Sequence, residues 1–327
     1  MISQLENQDR LKLLTPDEYL CEACPEESHQ PGDATRKLAS SGFTVIKQLI
    51  SADLTQELRD AFYTTIIPST SEFGRIYRYR GKETNKISDK QHLLNPLSNL
   101  QLESSKNNNK QENEFIQKIV NLITTGLHIP FIKDATGYEQ IRLLTWNLFH
   151  VVEPFTPPHQ DCIFFNSELG LLDLLGVWIA LEDIPPGASP LYLQRNSHTE
   201  LGRFAKQHYS ITPEYTSMIT EYLFNKREFI VAPHLQAGDC IIWDSRTVHG
   251  SLLRTNPNAT RLSITAHFEP EKKIISRKLG NLGSAQQRSL AKRRLFDIHE
   301  IKKLKMPNNT ILRSHRSRID QFTKSTY

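Results

Sequence analysis

Long apolar runs are missing from this chain. No stretch approaches the roughly 18 to 20 residues that a membrane-spanning helix needs, so no span is expected. Met1 to Arg10 is polar and lacks an apolar core followed by a small-residue cleavage site, which makes a cytoplasmic location the expectation. Cysteine is scarce, at four residues. Cys162 and Cys240 sit in apolar segments and read as reduced, buried thiols. Cys21 and Cys24 form a C-x-x-C with His29 close behind, but a structural zinc site wants a second pair and none exists. They read as two free thiols in a poorly ordered N-terminal arm.

What remains is ordinary soluble composition, 38% hydrophobic and 23% charged, in a length that suits one large domain. Charge is uneven. From Glu271 onward there are fifteen Lys/Arg against four Asp/Glu, a net of +11, whereas the rest carries 25 against 32, a net of −7. Such a tail can serve nucleic acid or a membrane surface. Yet Leu290, Leu295, Ile298, Ile301 and Leu304 fall at helical spacing within Gln286 to Lys305, so a docked amphipathic helix with a solvated basic face is the preferred reading over nucleic-acid binding.

Ala34 to Ser40 reads as a short helix, residues 42–46 as a strand, and Ser51 as the cap of a helix reaching Tyr63. A further helix is expected over Asn113 to Gly126, after an exposed loop at Ser104 to Asn113. From Gln140 the pattern turns to strands: 141–152, 162–165 after a Pro157-Pro158 corner, 176–181, 191–193, 229–232, 240–243 and 262–268. The insertion between His198 and Arg227 reads as mostly helical, covering one mouth. The expected fold is mainly β with flanking helices around a double-stranded β-helix, a jelly-roll or cupin-like core. The chain divides into an arm, 1–35; one domain, 36–270, helical over 36–139 and jelly-roll over 140–270; and a basic helical extension, 271–327, packed on the domain.

Within Pro157-Pro158-His159-Gln160-Asp161, a His and an Asp stand two apart at the expected start of a strand. With period two, both side chains leave one face and can reach one ion. A third ligand must come from a distant strand, and His249, after the strand 240–243, is the leading candidate. Two imidazoles and one carboxylate on one face of an octahedron suit Fe(II) and leave three positions open.

These stretches resemble the phytanoyl-CoA dioxygenase family of Fe(II)/2-oxoglutarate oxygenases. The likeness runs from Leu38 to Phe62, then through PPHQD at 157–161, VWIALED at 177–183, PLYLQRNSH at 190–198, AGDCIIWDSRTVHGS at 237–251 and TRLSITAHF at 260–268. The resemblance implies that His159, Asp161 and His249 bind iron, with 2-oxoglutarate and O2 as cosubstrates and succinate and CO2 as products. It implies that Arg261 pairs with the distal carboxylate of 2-oxoglutarate, as a guanidinium fork does well. Arg254 competes for that role from a turn-rich loop. Ser251 would join the same anchor, with Gln160 and Trp178 lining the cosubstrate pocket. Because Asp161 retains the carboxylate, the expected outcome is hydroxylation or a related C–H oxidation, not halogenation.

For the substrate, Arg75-Ile76-Tyr77-Arg78-Tyr79-Arg80 alternates basic and aromatic residues. Arg75, Arg78 and Arg80 would read carboxylates or phosphates, Tyr77 and Tyr79 would stack, and Arg195 and Arg246 could join them; a solvated surface hairpin is the competing reading. An anionic small molecule follows, a carboxylated or amino-acid-like product of secondary metabolism. Acyl-CoA is the alternative, and a nucleic-acid-associated oxygenase a more distant one. No oligomeric state is read from the pattern.

Overall fold

The segment 175–180 reads Leu-Gly-Val-Trp-Ile-Ala, a short run with no charged residue and two β-branched ones, as suits a strand covered on both faces. A computed structural model of the protein, which describes residues 9–67, 77–79, 82–84, 110–137, 140–152, 155–165, 174–201, 212–270 and 296–297, shows what covers it. In chain order the strands are β1 (Leu20–Cys21), β2 (Phe43–Ile46), β3 (Tyr77–Tyr79), β4 (Lys82–Thr84), β5 (Ile141–Phe149), β6 (Leu175–Ala180), β7 (Leu191–Gln194), β8 (Ile230–Pro233), β9 (Cys240–Asp244), β10 (His249–Ser251), β11 (Ser263–Pro270) and β12 (Phe296–Asp297). They build a six-stranded sheet ordered β12-β5-β11-β6-β9-β2 and a four-stranded sheet ordered β1-β8-β7-β10, with β3 and β4 a separate hairpin. All pairings are antiparallel except that of β1 with β8. The two sheets face each other in the jelly-roll manner without closing into a barrel.

Side-chain alternation explains the layers. Trp178 and Ala180 of β6, with Ile241 and Trp243 of β9, meet Leu191 and Leu193 of β7 and Val231 of β8 between the sheets. Val177 and Ile179, with Ile242 and Ile264, turn the other way into a larger apolar layer. That layer is closed by helices α2 (Pro31–Ser41), α3 (Ala52–Ala61), α4 (Lys110–Thr125) and α5 (His128–Thr136). Pro31 in the first turn and Gly42 at φ 91° bound α2, as a fixed φ at the start and a left-handed cap at the end require. The Ser51 hydroxyl caps α3 by accepting from Leu54 N, and the helix runs on into a π-turn, Phe62–Ile66. Together α4 and α5 form an apolar stretch, Asn113–Thr136, that is long enough to cross a membrane by composition, contrary to the sequence expectation. Phe115, Ile119, Ile123 and Ile132 are nonetheless buried in the layer just described, as in core helices of a globular domain.

Three expectations are corrected. Residues 162–165 are not a strand: Asp161–Phe165 is a helix, α6, because the chain turns out of the sheet right after His159. The N-terminal arm is not loose over its described part. Leu11, Leu14 and Tyr19 are buried with Tyr215, Ile219 and Leu223 of helix α8 (Pro213–Asn225) against the small sheet, a short helix α1 (Pro16–Tyr19) leads into β1, and Cys24 is buried between the sheets. Within the span read as a C-terminal helix, Phe296–Asp297 pairs with Leu143 and Arg142 of β5 as a strand; the other residues of 271–327 lie outside the described set. Helix α7 (Ser197–Glu200) and α8 agree with a helical insertion, of which 202–211 are not described.

Candidate metal centre

His249 heads β10 at the open edge of the small sheet. His159 pairs with it in an isolated antiparallel bridge, each backbone N–H donating to the other's carbonyl at 2.9 and 3.0 Å. Residues directly opposite in such a pair send their side chains to the same face, and the two imidazole centroids stand 4.3 Å apart. Asp161 follows in the first turn of α6 and returns its carboxylate to that face. Its Oδ1 lies 3.7 Å from His159 Nε2 and 3.5 Å from His249 Nε2. The three ligand atoms fall within 4.8 Å of one another, and all three residues are buried. Cross-strand pairing, not period-two alternation along one strand, therefore assembles the group.

Second contacts fix how each ligand presents itself. His159 Nδ1 lies 2.8 Å from the Pro157 carbonyl and His249 Nδ1 lies 2.9 Å from the Thr247 carbonyl. A carbonyl accepts only, so each Nδ1 carries the proton and each Nε2 turns a lone pair to the shared centre. Burial works against the Asp161 charge, but His249 and His267 outweigh it and hold the carboxyl well below the usual range. Asp161 in turn raises His249 against its own burial. Burial, with the His249 charge, pushes His159 down to about 4. A neutral imidazole and an ionised carboxylate are the forms that ligate metal. The donor set fits Fe(II), with two nitrogens and one carboxylate and no thiolate.

A buried cation is linked to the strand of His249 through Ser189 and Ser251. Arg261 is 4% exposed, and burial alone drags its pKa down to about 9. Its guanidinium donates to the Ser189 carbonyl, its Nε meets no acceptor, and no carboxylate pairs with it among the described residues. Ser189 Oγ lies 2.8 Å from Ser251 Oγ and 2.8 Å from the Leu252 carbonyl, and Ser251 Oγ accepts from Thr156 N at 2.6 Å. Ser251 and Arg261 thus meet through Ser189, which sits at φ 64° and was not singled out from sequence. The competitor Arg254 donates instead to the Pro257 and Ala259 carbonyls of its own loop.

The other sequence candidates divide. Trp178 is buried between the sheets, and its indole N–H has no partner among the described residues. Gln160 donates its side-chain amide to the Arg246 carbonyl and its backbone N–H to Tyr215 Oη at 3.1 Å, which ties the ligand segment to α8 and the loop before His249. Arg246 forms a fork with Asp244, and Arg195 pairs with buried Glu26. Tyr77 and Arg78 lie in β3, while Arg75 and Arg80 fall outside the described residues. Cys24 donates to Glu26, and desolvation pushes its thiol up, which disfavours the thiolate at that position. Two residues that the sequence reading missed, Trp243 and His267, both touch Asp161.

Residues 38–261 match the model of the family described as phytanoyl-CoA dioxygenase (PhyH). No curated protein matches the chain by sequence. Among solved structures, the epimerase SnoN, in complex with Fe3+, alpha ketoglutarate and nogalamycin RO, superposes with a TM-score of 0.52 at 18% identity over 73% of this chain and 83% of that one. The alpha-ketoglutarate-dependent carbocyclase SnoK from nogalamycin biosynthesis superposes with a TM-score of 0.52 at 17% identity over 78% of this chain and 92% of that one. At these identities the likeness is one of fold.

Proposed function

The chain belongs to the phytanoyl-CoA dioxygenase family of Fe(II)- and 2-oxoglutarate-dependent oxygenases, and from that premise we propose that it oxidises an anionic small molecule at a C–H bond. The observation that carries the assignment of roles is the presence, beside a buried His-Asp-His group, of a buried guanidinium that reaches the strand of His249 through Ser189 and Ser251 and has no carboxylate partner among the described residues. In this reading His159, Asp161 and His249 hold the metal. Arg261 receives the distal carboxylate of 2-oxoglutarate, with Ser251 and Ser189 as its hydrogen-bonding floor. A buried arginine without an anion is unfavourable by several kcal/mol, and a dicarboxylate supplies what is missing. Trp178 offers its N–H to the same cosubstrate.

Bound iron, with 2-oxoglutarate and O2, supplies the oxidising power that takes hydrogen from a substrate C–H bond and releases succinate and CO2. The protein orients and protects. The Pro157 and Thr247 carbonyls keep both Nε2 atoms aimed inward, and the apolar layer between the sheets excludes water from the inner side. Retention of Asp161 keeps a carboxylate where a halide would otherwise sit, which favours oxygenation.

The substrate class rests on the basic and aromatic run Arg75, Tyr77, Arg78 and Arg80, since Arg246 is engaged by Asp244. SnoK comes from nogalamycin biosynthesis and SnoN is seen in complex with nogalamycin RO, and we carry a natural-product substrate over from them as part of the proposal. Succinate release is to be measured with carboxylated natural products and amino acids, an acyl-CoA, and single-stranded DNA and RNA. The proposal expects stimulation by the carboxylated set. Stimulation by the acyl-CoA alone, or by nucleic acid with a steep salt dependence, contradicts the substrate class and leaves the iron site standing.

A further inference from the structure

The two oxygens of Asp161 have different surroundings. Oδ1 faces both imidazole Nε2 atoms at 3.7 and 3.5 Å. Oδ2 accepts from Trp243 Nε1 at 2.7 Å and from His267 Nε2 at 3.0 Å. An indole N–H is a donor only, and an imidazole facing an ionised carboxylate donates as well, so both contacts act on the same oxygen.

These two donors come from strands that are not neighbours. His267 of β11 is in register with Gly176 of β6, and Gly176 is in register with Trp243 of β9. The three residues form one rung across the sheet, and residues on a rung share a face. Strands two places apart are about 9.6 Å apart, too far for flanking rings to converge over an ordinary side chain. Here the middle position has none. The His267 and Trp243 rings come to 6.1 Å with their planes at 90°, and a Cβ on Gly176 would stand 2.6 Å from Trp243 Nε1. The missing side chain is what lets the indole lie across β6 and reach Asp161.

We propose that Trp243 and His267, admitted by the gap at Gly176, are positioning residues that keep Asp161 a one-oxygen ligand. The inference rests on the metal reading above and adds how the carboxylate is held. A carboxylate free to rotate can present both oxygens to a metal and occupy a fourth position. One whose Oδ2 is tied by two donors presents Oδ1 alone. A metal held by His159, His249 and one oxygen of Asp161 would then keep its remaining positions for cosubstrate and O2.

The test uses the purified full chain under anaerobic conditions, with Trp243→Phe, Gly176→Ala, His267→Leu and His267→Gln beside wild type. Fe(II) affinity is read by competition with a chromophoric chelator, the 2-oxoglutarate complex by its visible charge-transfer band, and folding by apo-protein thermal unfolding. Trp243→Phe keeps the ring and loses the N–H; His267→Gln keeps an N–H donor that His267→Leu lacks. We expect Trp243→Phe and His267→Leu each to weaken Fe(II) binding by roughly 10- to 100-fold, with a displaced or diminished band. Gly176→Ala should move in the same direction, and His267→Gln should recover most of the loss. Unchanged affinity and band in folded Trp243→Phe and His267→Leu overturn the inference alone. A loss in His267→Leu that His267→Gln does not repair assigns the effect to packing and also overturns it. Wild type that gives neither Fe(II) binding nor a band overturns the metal reading, and this inference with it. If Trp243→Phe does not fold, the two His267 variants decide the question.

Discussion

His159 and His249 are cross-strand partners, each donating its backbone N–H to the other, although 90 positions separate them in the sequence. Their pairing is a main-chain matter and does not depend on either imidazole. His159→Ala is therefore expected to keep the strand pairing and to lower apo-protein unfolding by no more than a few degrees, the cost of one truncated ring. Fe(II) binding should fall by at least roughly 100-fold, since one of three protein ligands is gone. Thermal unfolding and metal competition on the same preparation check both halves.

Arg261 should divide cosubstrate binding from stability. Removing a charge-assisted anchor is worth about 1.5–3 kcal/mol, so Arg261→Met should raise the KM for 2-oxoglutarate by roughly 10- to 150-fold. The apo-protein should become more stable by about 1–3 kcal/mol, because a buried cation with no counter-charge among the described residues is replaced by an apolar chain. Wild type should gain about 2.7 kcal/mol at 2-oxoglutarate concentrations near 100 Kd, and the variant only about 0.3–1.4 kcal/mol at the same concentration. Steady-state kinetics gives the KM, and urea unfolding with and without cosubstrate gives the two stability changes.

Glu269 ends the inner face of β11, 2% exposed, and burial raises its carboxyl from 4.5 to about 7, with Arg142 opposing the shift. Between these values the folded protein keeps a proton that the unfolded chain has released. Stability must then fall as pH rises through that window. Glu269→Gln is expected to match wild type near pH 4.5 and to exceed it at pH 8 by on the order of 1–3 kcal/mol. Equal pH dependence of unfolding in the two proteins would show that Glu269 does not sense the interior.

The thiols should react unequally. Cys24 is buried, donates to Glu26 and has its pKa raised, whereas Cys21 is half-buried at the edge strand β1. At pH 8 an alkylating reagent should modify Cys21 well before Cys24, as mass spectrometry can show. Replacing both with serine should leave metal content unchanged.

Much of the scaffold could be read in advance. The helices near 31–41 and 52–61 and most core strands follow from capping residues and apolar runs, since those are local signals. The metal-binding trio was legible through H-x-D and the family-like stretches around it. What local patterns did not show depends on register. Asp161 opens a helix where a strand was expected, because the pairing ends at the His159 bridge two residues earlier. The His267–Gly176–Trp243 rung joins three strands that meet only in the folded sheet. Gln160, flanked by two ligands, turned out to hold the ligand segment to α8 through Tyr215. Ser189 links Ser251 to Arg261 from a strained loop position that no motif marks.

The most direct test of the central claim is an anaerobic titration of the protein with Fe(II) and 2-oxoglutarate, followed by visible absorption. Wild type should develop the weak charge-transfer band of a chelated 2-oxo acid, and His159→Ala and Asp161→Ala should not. A band of wild-type intensity in both variants would contradict the assignment of His159, Asp161 and His249 as the iron site.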